Sequence, residues 1–382
     1  MRPTSLCLLL LAIGCRSGPE EAAPTLDLLP LAEDVAARGA VMWPAEDRPL
    51  GWIETVLGFG MHRLYQANDD AQWQDYYRVW LTETAPEFEG TAPRSFNSSD
   101  SMSVASVSST LMIEDPTADL TPLTVAAEAY LDTAGRTDEG AITHWGDDTP
   151  FVDDDEIWVD SLFMFGMFML REYERTGDRQ WLDDFADQYV LFSDLCRDTD
   201  AQLYRHAYDD GTDSNIPTEA VFWARGNSWV VVAAAEMLTL VPADDPAAIR
   251  VAPLFEAHAE AVLATQADDG LWPTVLASPY GDDPDNYTET SASALIAWGL
   301  LRGTESVLDA DRFLPAVVRA VHGVEDRIYE GAEGPVVSGT SYGTNPGDYD
   351  YYVAVPFADD QMLGVGSVIA LLAEAHGLED IQ

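Results

Sequence analysis

The chain has 382 residues, of which 47% are hydrophobic, so it is long enough to bury a core as one large domain or two ordinary ones. Its 19 basic residues are all arginine and face 67 acidic residues, which gives a formal net charge of −48. Such a charge argues against nucleic acids and anionic membrane surfaces as partners, because like charges repel at long range. We interpret the acidity as a means of keeping the surface soluble in salt. The aspartate clusters lack the ligand spacing of a dedicated calcium loop.

The first 25 residues have the composition of an export signal. Arg2 supplies a short positive region, and the apolar stretch at 6–13 is too short to span a bilayer stably. The stretch LAIGC resembles the cleavage motif of bacterial lipoproteins. We therefore expect residues 1–14 to be a signal peptide, Cys15 to be lipidated, and residues 15–25 to be a flexible tether at the bacterial cell envelope. The match to this motif is imperfect, and secretion without a lipid is the alternative.

From residue 26 onward, apolar residues recur at steps of three and four, which is the period of an amphipathic helix. Turn signals such as TGD, PADDP and QADDG separate many of these segments, and strand-like alternation is confined to GPVVSG at 334–339. After cleavage, with Cys15 lipidated, the body of the protein holds only Cys196, so an internal disulfide is impossible and stability must come from packing. The predicted helices lie at approximately 26–40, 51–67, 70–83, 102–113, 120–133, 157–175, 179–195, 220–240, 247–266, 288–302, 309–327 and 358–376.

Pairs of neighbouring helices repeat one pattern. In the segments that start at Gly51, Trp158 and Phe222, a helix that is apolar nearly all round is followed by a turn and a more polar helix. A helix that is apolar on all sides is expected to be buried, whereas an outer helix shows one polar face. Six such pairs predict an all-α (α/α)6 barrel over residues 26–382. An open helical solenoid is the alternative, but the irregular repeat lengths favour the closed ring.

One acidic residue interrupts the most apolar segment of the chain. Between Ile157 and Leu170, only Asp160, Ser161 and Gly166 are not large and apolar. A buried carboxyl costs several kcal/mol unless it is paired, hydrogen-bonded or protonated. Asp160 is therefore either a functional acid or a structural residue, such as a helix cap or a member of an ion pair.

Six sequence blocks occur in an order that is typical of one enzyme family. The blocks are WVDSLFM (158–164), HAYDD (206–210), FWARGNSW (222–229), DDGLWPTVL (268–276), YTETSASALIAWGLLRG (287–303) and GTSYGT followed by DYYV and DDQMLGVGSVIALLAE (339–374). Together they resemble the unsaturated rhamnogalacturonyl hydrolases of glycoside hydrolase family 105 and the related unsaturated glucuronyl hydrolases of family 88. The resemblance covers roughly residues 45–376 and also implies an (α/α)6 barrel.

The resemblance implies hydration chemistry rather than direct displacement at a glycosidic bond. The family removes the 4,5-unsaturated uronic acid that a polysaccharide lyase leaves at the non-reducing end. Asp160 matches the family's general acid/base, which protonates C4 while water adds at C5. We expect burial among Trp158, Phe163 and Met164 to raise the pKa of Asp160 and keep it protonated.

A second carboxylate is expected beside Asp160, ahead of the next inner helix. The segment 113–135 offers Asp119 and Asp115, of which Asp119 better fits the family's spacing. Asp119 also stands where an ordinary N-cap of the helix near Leu120 would stand, so a structural role is the alternative.

Four further residues are candidate substrate contacts by the same resemblance. His206 matches a family histidine, and His144 stands where relatives also carry one. Trp223 would offer its indole face to a sugar ring, and the guanidinium of Arg225 would bind the uronate carboxylate. A buried ion pair is the alternative role for Arg225. Glu289 is interpreted as structural, because acids are favoured at helix starts.

The sequence implies no cofactor, because water is the co-substrate of the implied reaction, and no clustered His or Cys spacing suggests a transition metal. The expected partner is an unsaturated oligosaccharide, and a membrane is contacted only through the N-terminal lipid. Two alternatives stay open: a sugar epimerase or other glycosidase on the same barrel, and a glycan-binding lipoprotein without activity. The leaving sugar and the oligomeric state are not determined by the sequence.

Overall fold

The structure is a computed structural model that describes residues 24–146, 155–277, 280 and 283–380. The predicted signal peptide and the lipidation site Cys15 lie outside the described residues. Among the helices described, none combines the length and apolarity that a membrane crossing requires.

Six of the described helices form an inner ring in which each packs against the next and the last packs against the first. Their side chains are buried on nearly all sides, and in the fourth of them residues 224–238 are buried without a break. This explains why their sequences lack a continuous polar face. The inner helices are α2 (Trp52–Asn68), α5 (Val104–Glu114), α8 (Gly166–Thr176), α10 (Ala224–Thr239), α12 (Thr290–Thr304) and α15 (Met362–Ala375).

Six more of the described helices form an outer layer, and each packs against an inner helix. They bury one face and expose the other, as α13 does with its core valines on one side and its charged residues on the other. The outer helices are α1 (Leu29–Met42), α3 (Ala71–Thr84), α6 (Thr121–Thr133), α9 (Arg179–Cys196), α11 (Pro246–Leu263) and α13 (Ala310–Glu325). The predicted all-α (α/α)6 barrel is therefore confirmed.

The ring closes where α15 meets α2, and glycines allow this contact. A Cβ atom on Gly60 would lie 2.5 Å from the carbonyl oxygen of Gly366, and a Cβ atom on Gly366 would lie 2.7 Å from the Cα atom of Leu57. These distances leave no room for a side chain, so the backbones of the two helices touch. Small residues at this seam thus allow the first and last inner helices to seal the barrel.

The inner helices run in the same direction, which gives the barrel two different ends. At their C-terminal ends, Arg63 contacts Glu236 at 2.6 Å and Glu374 at 3.1 Å, and Arg171 and Arg302 also contact Glu236. This buried network joins α2, α8, α10, α12 and α15. The N-terminal ends carry the loops, the short helices and most of the strands.

Short strands and helices take over the starts of several predicted helices. The segment predicted as a helix from 157 begins as a strand that pairs with residues 207–209, and the helix predicted from 220 begins after residues 222–223 pair with 275–276. The predicted strand near 334–339 is present. The remaining elements are α4 (Ser99–Met102), α7 (Ser161–Met164), α14 (Tyr349–Ala354), β1 (Glu156–Trp158), β2 (Ala207–Asp209), β3 (Ser214–Ile216), β4 (Phe222–Trp223), β5 (Val275–Leu276), β6 (Ile328–Gly331), β7 (Gly334–Val337), β8 (Thr340–Ser341) and β9 (Phe357–Ala358), with 3-10 turns at Ala45–Asp47 and Ala85–Phe88.

Candidate active site

Asp160 lies at the N-terminal end of the barrel, at the start of α7. Its backbone is already helical, with φ −53° and ψ −35°, and its side chain makes no capping hydrogen bond to α7. Its Oδ2 lies 3.1 Å from Nε2 of His206, and the two side chains are 12% and 0% exposed. The backbone N–H of Val159 donates to the carbonyl oxygen of His206 at 3.0 Å, in line with the pairing of β1 and β2. Strand pairing therefore brings together two residues that are 46 positions apart in the sequence.

The charge state of Asp160 differs from the sequence-based expectation. Burial acts to raise the pKa of Asp160, but the charge and contact of His206 outweigh it and hold the pKa below its usual value. The expectation that burial alone keeps Asp160 protonated is therefore wrong for the free chain. Its carboxylate is ionised because the imidazole of His206 lies against it.

A second acid, Asp100, occupies the same site and was missed by the sequence analysis. It lies in the short helix α4, its side chain is 28% exposed, and its Oδ2 is 3.8 Å from Nε2 of His144. Burial, followed by the negative charge of Asp160, raises the pKa of Asp100 to about 8. At neutral pH, Asp100 therefore holds a proton and Asp160 does not.

His144 connects the two acids through a small hydroxyl cluster. Its Nδ1 lies 2.8 Å from Oγ of Ser99 and 3.1 Å from Oγ of Ser161, and the two hydroxyl oxygens are 2.8 Å apart. Ser99 precedes Asp100 and Ser161 follows Asp160. Burial lowers the pKa of His144 to about 3, so this imidazole is neutral at physiological pH. The structure thus places both predicted histidines, His144 and His206, beside Asp160.

Asp119 and Asp115 lie beyond the C-terminal end of α5, at the other end of the barrel. Asp119 is exposed and accepts a hydrogen bond from the backbone N–H of Thr121, while Asp115 contacts Arg78 at 2.5 Å. The expectation that either lies beside Asp160 is wrong. The helix that follows them, α6, belongs to the outer layer, so its start points away from the site.

Arg225 supports a loop and has no terminal nitrogen left for a ligand. Its guanidinium is 1% exposed, and Nη1 donates to Oγ of Ser341 at 2.6 Å. Nη2 donates to the carbonyl oxygen of Tyr342 at 2.7 Å and to Oγ1 of Thr344 at 3.0 Å, and Nη1 lies 3.8 Å from Oε2 of Glu289. The expected direct clamp on a uronate is therefore not what this geometry offers. The alternative role, a buried pairing that fixes the structure, describes Arg225.

Trp223 is covered on its faces and cannot serve as the expected platform for a sugar. It is 3% exposed, His206 stacks on it at 4.3 Å, and the Arg225 guanidinium lies 4.7 Å from its ring. Its role in the site is to hold His206 in place. The indole of Trp158 stacks on His144 at 4.2 Å, and the half-buried Trp145 lies edge-on to both rings.

The arrangement brings together a protonated carboxyl, an ionised carboxylate and two imidazoles at the N-terminal end of the barrel. Such a set can donate a proton and accept another within one reaction cycle. Among the described residues, no group of three or more His, Cys, Asp or Glu side chains is arranged to hold a metal ion.

Comparison with known proteins relates this chain to one family. The family model Glycosyl Hydrolase Family 88 matches residues 36–378. The unsaturated rhamnogalacturonyl hydrolase YesR of Bacillus subtilis is 28% identical over 328 residues, which is 85% of this chain and 88% of that protein. The unsaturated 3S-rhamnoglycuronyl hydrolase of Formosa agariphila is 26% identical over 58% of each chain.

Solved structures support the fold. A possible member of the GH105 family from Klebsiella pneumoniae superposes with a TM-score of 0.79 at 20% identity, covering 96% of this chain and 98% of its own. The unsaturated glucuronyl hydrolase of Bacillus sp. GL1 gives a TM-score of 0.70 at 19% identity over 91% and 95% of the two chains. The predicted resemblance is confirmed, and the chain belongs to Glycosyl Hydrolase Family 88 as a glycoside hydrolase.

Proposed function

We propose that this glycoside hydrolase removes a 4,5-unsaturated uronic acid from the non-reducing end of oligosaccharides produced by polysaccharide lyases. The observation that carries the proposal is the buried contact of Asp160 with His206, close enough to Asp100 for the two acids to interact electrostatically, at the N-terminal end of a barrel of this family. The relatives named above as unsaturated rhamnogalacturonyl and 3S-rhamnoglycuronyl hydrolases support the choice of substrate class.

The reaction needs one carboxyl that gives a proton and then takes one. Asp160 protonates C4 of the unsaturated sugar, water adds at C5, and Asp160 accepts the proton that the water releases. The resulting hemiketal opens by breaking its bond to the ring oxygen, and the bond from C1 to the leaving sugar then breaks. An anionic uronate beside Asp160 raises the pKa of this carboxyl by like-charge repulsion, and the protonated Asp100 nearby can supply the proton that Asp160 then gives to C4.

Replacing Asp160 with asparagine tests the proposal. The wild-type enzyme is expected to abolish the ultraviolet absorbance of the double bond in lyase-generated oligosaccharides, and Asp160→Asn is expected to lower kcat at least ~100-fold because the acid is lost. Asp119→Asn is the matched control and is expected to retain full activity. Circular dichroism checks that both variants fold.

Three results would count against the proposal. Wild-type kcat in Asp160→Asn would remove this residue from the chemistry. Turnover of a saturated free sugar without activity on lyase products would favour an epimerase. Binding of oligosaccharide without turnover by the wild type would favour a glycan-binding protein.

We further propose that the enzyme is anchored at the bacterial cell envelope by a lipid on Cys15 after removal of residues 1–14. The apolar stretch and the small residues before Cys15 support this location. Metabolic labelling with a fatty-acid probe is expected to label the wild type and not Cys15→Ser. An unlabelled wild type released into the medium would show plain secretion instead.

A further inference from the structure

Tyr352 on α14 contacts the imidazole of His206 from the side opposite Asp160, and the proposed reaction assigns it no role. It is 1% exposed, and its hydroxyl oxygen lies 3.1 Å from Nδ1 of His206. The backbone N–H of Gly347 donates to the same hydroxyl oxygen at 3.0 Å. The Tyr352 ring also lies nearly parallel to Trp223, with an angle of 5° between the planes. The phenol is therefore held in a fixed position behind His206.

The hydrogen-bond donors and acceptors around the Tyr352 hydroxyl determine which nitrogen of His206 carries the proton. A backbone N–H can only donate, so the Tyr352 oxygen accepts from Gly347. The single phenol proton then has Nδ1 of His206 as its acceptor. With the proton of His206 on Nδ1, the phenol proton would have no other acceptor within hydrogen-bond distance among the described residues, and burying an unsatisfied hydroxyl is costly. The neutral imidazole consequently carries its proton on Nε2, the nitrogen that lies 3.1 Å from Oδ2 of Asp160.

We propose that Tyr352 is a positioning residue that fixes the tautomer of His206, so that the protonated nitrogen Nε2 is the one that faces Oδ2 of Asp160. When this contact becomes a hydrogen bond in the substrate complex, the other carboxylate oxygen of Asp160 is left to exchange the proton with the substrate. The contact between His206 and Asp160 is close but not well aligned in the free chain, as is usual before a ligand tightens an active site. The catalytic part of this proposal rests on the proposed function, whereas the tautomer does not.

The other ionisable groups around Asp160 and His206 do not provide the same control. Asp100 and His144 lie on the α4 side of Asp160, and Arg225 lies beyond Trp223 with its terminal nitrogens bound to the loop that follows β8. None of these side chains contacts Nδ1 of His206. Tyr352 is therefore the described side chain that determines which nitrogen carries the proton.

The tautomer can be read directly by nitrogen–proton correlation spectroscopy of the imidazole rings. The wild type and the control Tyr351→Phe are expected to show His206 with its proton on Nε2. Tyr351 is a suitable control because it is 39% exposed and its hydroxyl accepts from the backbone N–H of Asn345 rather than contacting His206. Tyr352→Phe keeps the stacked ring and is expected to show a mixture of tautomers. A wild-type proton on Nδ1, or an unchanged spectrum in Tyr352→Phe, would overturn the proposal, and the wild-type spectrum decides it even if the variant fails to fold.

Kinetics give a second readout that a purely structural role would not change. Tyr352→Phe is expected to lower kcat about tenfold with KM unchanged, because the effect is on the acid rather than on sugar binding. Without the phenol, Nδ1 loses its hydrogen-bond donor, so Nε2–H faces Asp160 in only part of the molecules. A carboxylate that loses a donor is a weaker acid, so the alkaline limb of the kcat/KM profile is expected to move about one unit to higher pH. An unmoved profile with a changed KM would assign Tyr352 to substrate binding. If the wild type is inactive on unsaturated oligosaccharides, the proposed function is wrong. The spectrum of His206 still tests the proposed tautomer, because that measurement does not depend on activity.

Discussion

Replacing Asp100 with asparagine is expected to lower activity and raise stability at alkaline pH. Asparagine has nearly the same shape but cannot ionise. In the wild type, burial and the charge of Asp160 raise the pKa of Asp100 from 3.8 to about 8. Between these two values the folded chain keeps a proton that the unfolded chain has released. The free energy of unfolding of the wild type therefore falls as the pH rises through this window. Asp100→Asn does not show this fall, because its side chain cannot ionise.

The size of the effect follows from the shift and from the exposure of the side chain. A shift of about four pKa units corresponds to about 6 kcal/mol as an upper limit. Because the Asp100 side chain is 28% exposed, screening by water is expected to reduce the cost to about 2 kcal/mol. With about 2 cal/mol/K of unfolding entropy per residue, this corresponds to an increase in Tm of about 3 °C for a chain of this size.

Thermal unfolding at about pH 5.5 and about pH 9, together with the ultraviolet assay, measures both effects. Asp100→Asn is expected to have a higher Tm than the wild type at the alkaline pH, and this difference in Tm should shrink towards the acidic pH. Its kcat is expected to be about 100-fold below that of the wild type. Asp119→Asn, which changes an exposed acid at the other end of the barrel, is expected to alter neither quantity. An equal loss of Tm at both pH values, or wild-type kcat in Asp100→Asn, would refute the reasoning.

Two further predictions concern the scaffold. Glu236 is 1% exposed and contacts arginine side chains of α2, α8 and α12. Glu236→Gln is therefore expected to lower the free energy of unfolding, measured by chemical denaturation, by about 3–5 kcal/mol. The control Glu305→Gln, at a 50% exposed position, is expected to lower it by less than about 1 kcal/mol. Burial tends to raise the pKa of Glu236, but the arginines outweigh burial and lower this pKa. The ion pairs of Glu236 therefore contribute their full stabilisation above about pH 4.3. The difference in the free energy of unfolding between wild type and variant should narrow as the pH falls below that value. Gly60→Ala is expected to lower the free energy of unfolding by about 1–3 kcal/mol, because its Cβ would meet the carbonyl oxygen of Gly366. Gly343→Ala is the control, since a Cβ there would lie 3.7 Å from the nearest atom, on Trp52, and should cost less. Equal costs within either pair of variants would contradict these assignments.

The barrel could be predicted from the sequence because its inner helices have a property that is visible locally. A helix such as α10 must be apolar all round to be buried on all sides, and the residues between Ala224 and Leu238 show this directly. The starts of the helices were less accessible. The pairing of Glu156–Trp158 with Ala207–Asp209 depends on a partner about fifty residues away, and no local period reports it.

The site was predicted where a residue stands out from its neighbours and missed where it does not. Asp160 is conspicuous in an apolar run, but Asp100 lies in the polar stretch NSSDSM, where an acid is unremarkable. The search for the second acid treated the helix at 120–133 as inner. Asp100 precedes an inner helix, α5, much as Asp160 precedes α8, and this position was the available signal. The role of Arg225 depended on a loop more than 110 residues downstream, which the WARG motif does not reveal.

The same geometry explains how a chain with a net charge of −48 can hold an anionic sugar. Asp100 keeps its proton up to about pH 8, so at neutral pH Asp160 is the negative member of this pair, and His206 lies against it. The N-terminal ends of inner helices α5 and α10 face this end of the barrel without a side-chain cap, so their dipoles add partial positive charge, whereas the carboxylate of Glu289 caps α12. The site is therefore less negative than the surface around it. A uronate that enters it leaves the repulsive exterior, and its own charge then favours the protonated form of Asp160 that the chemistry requires.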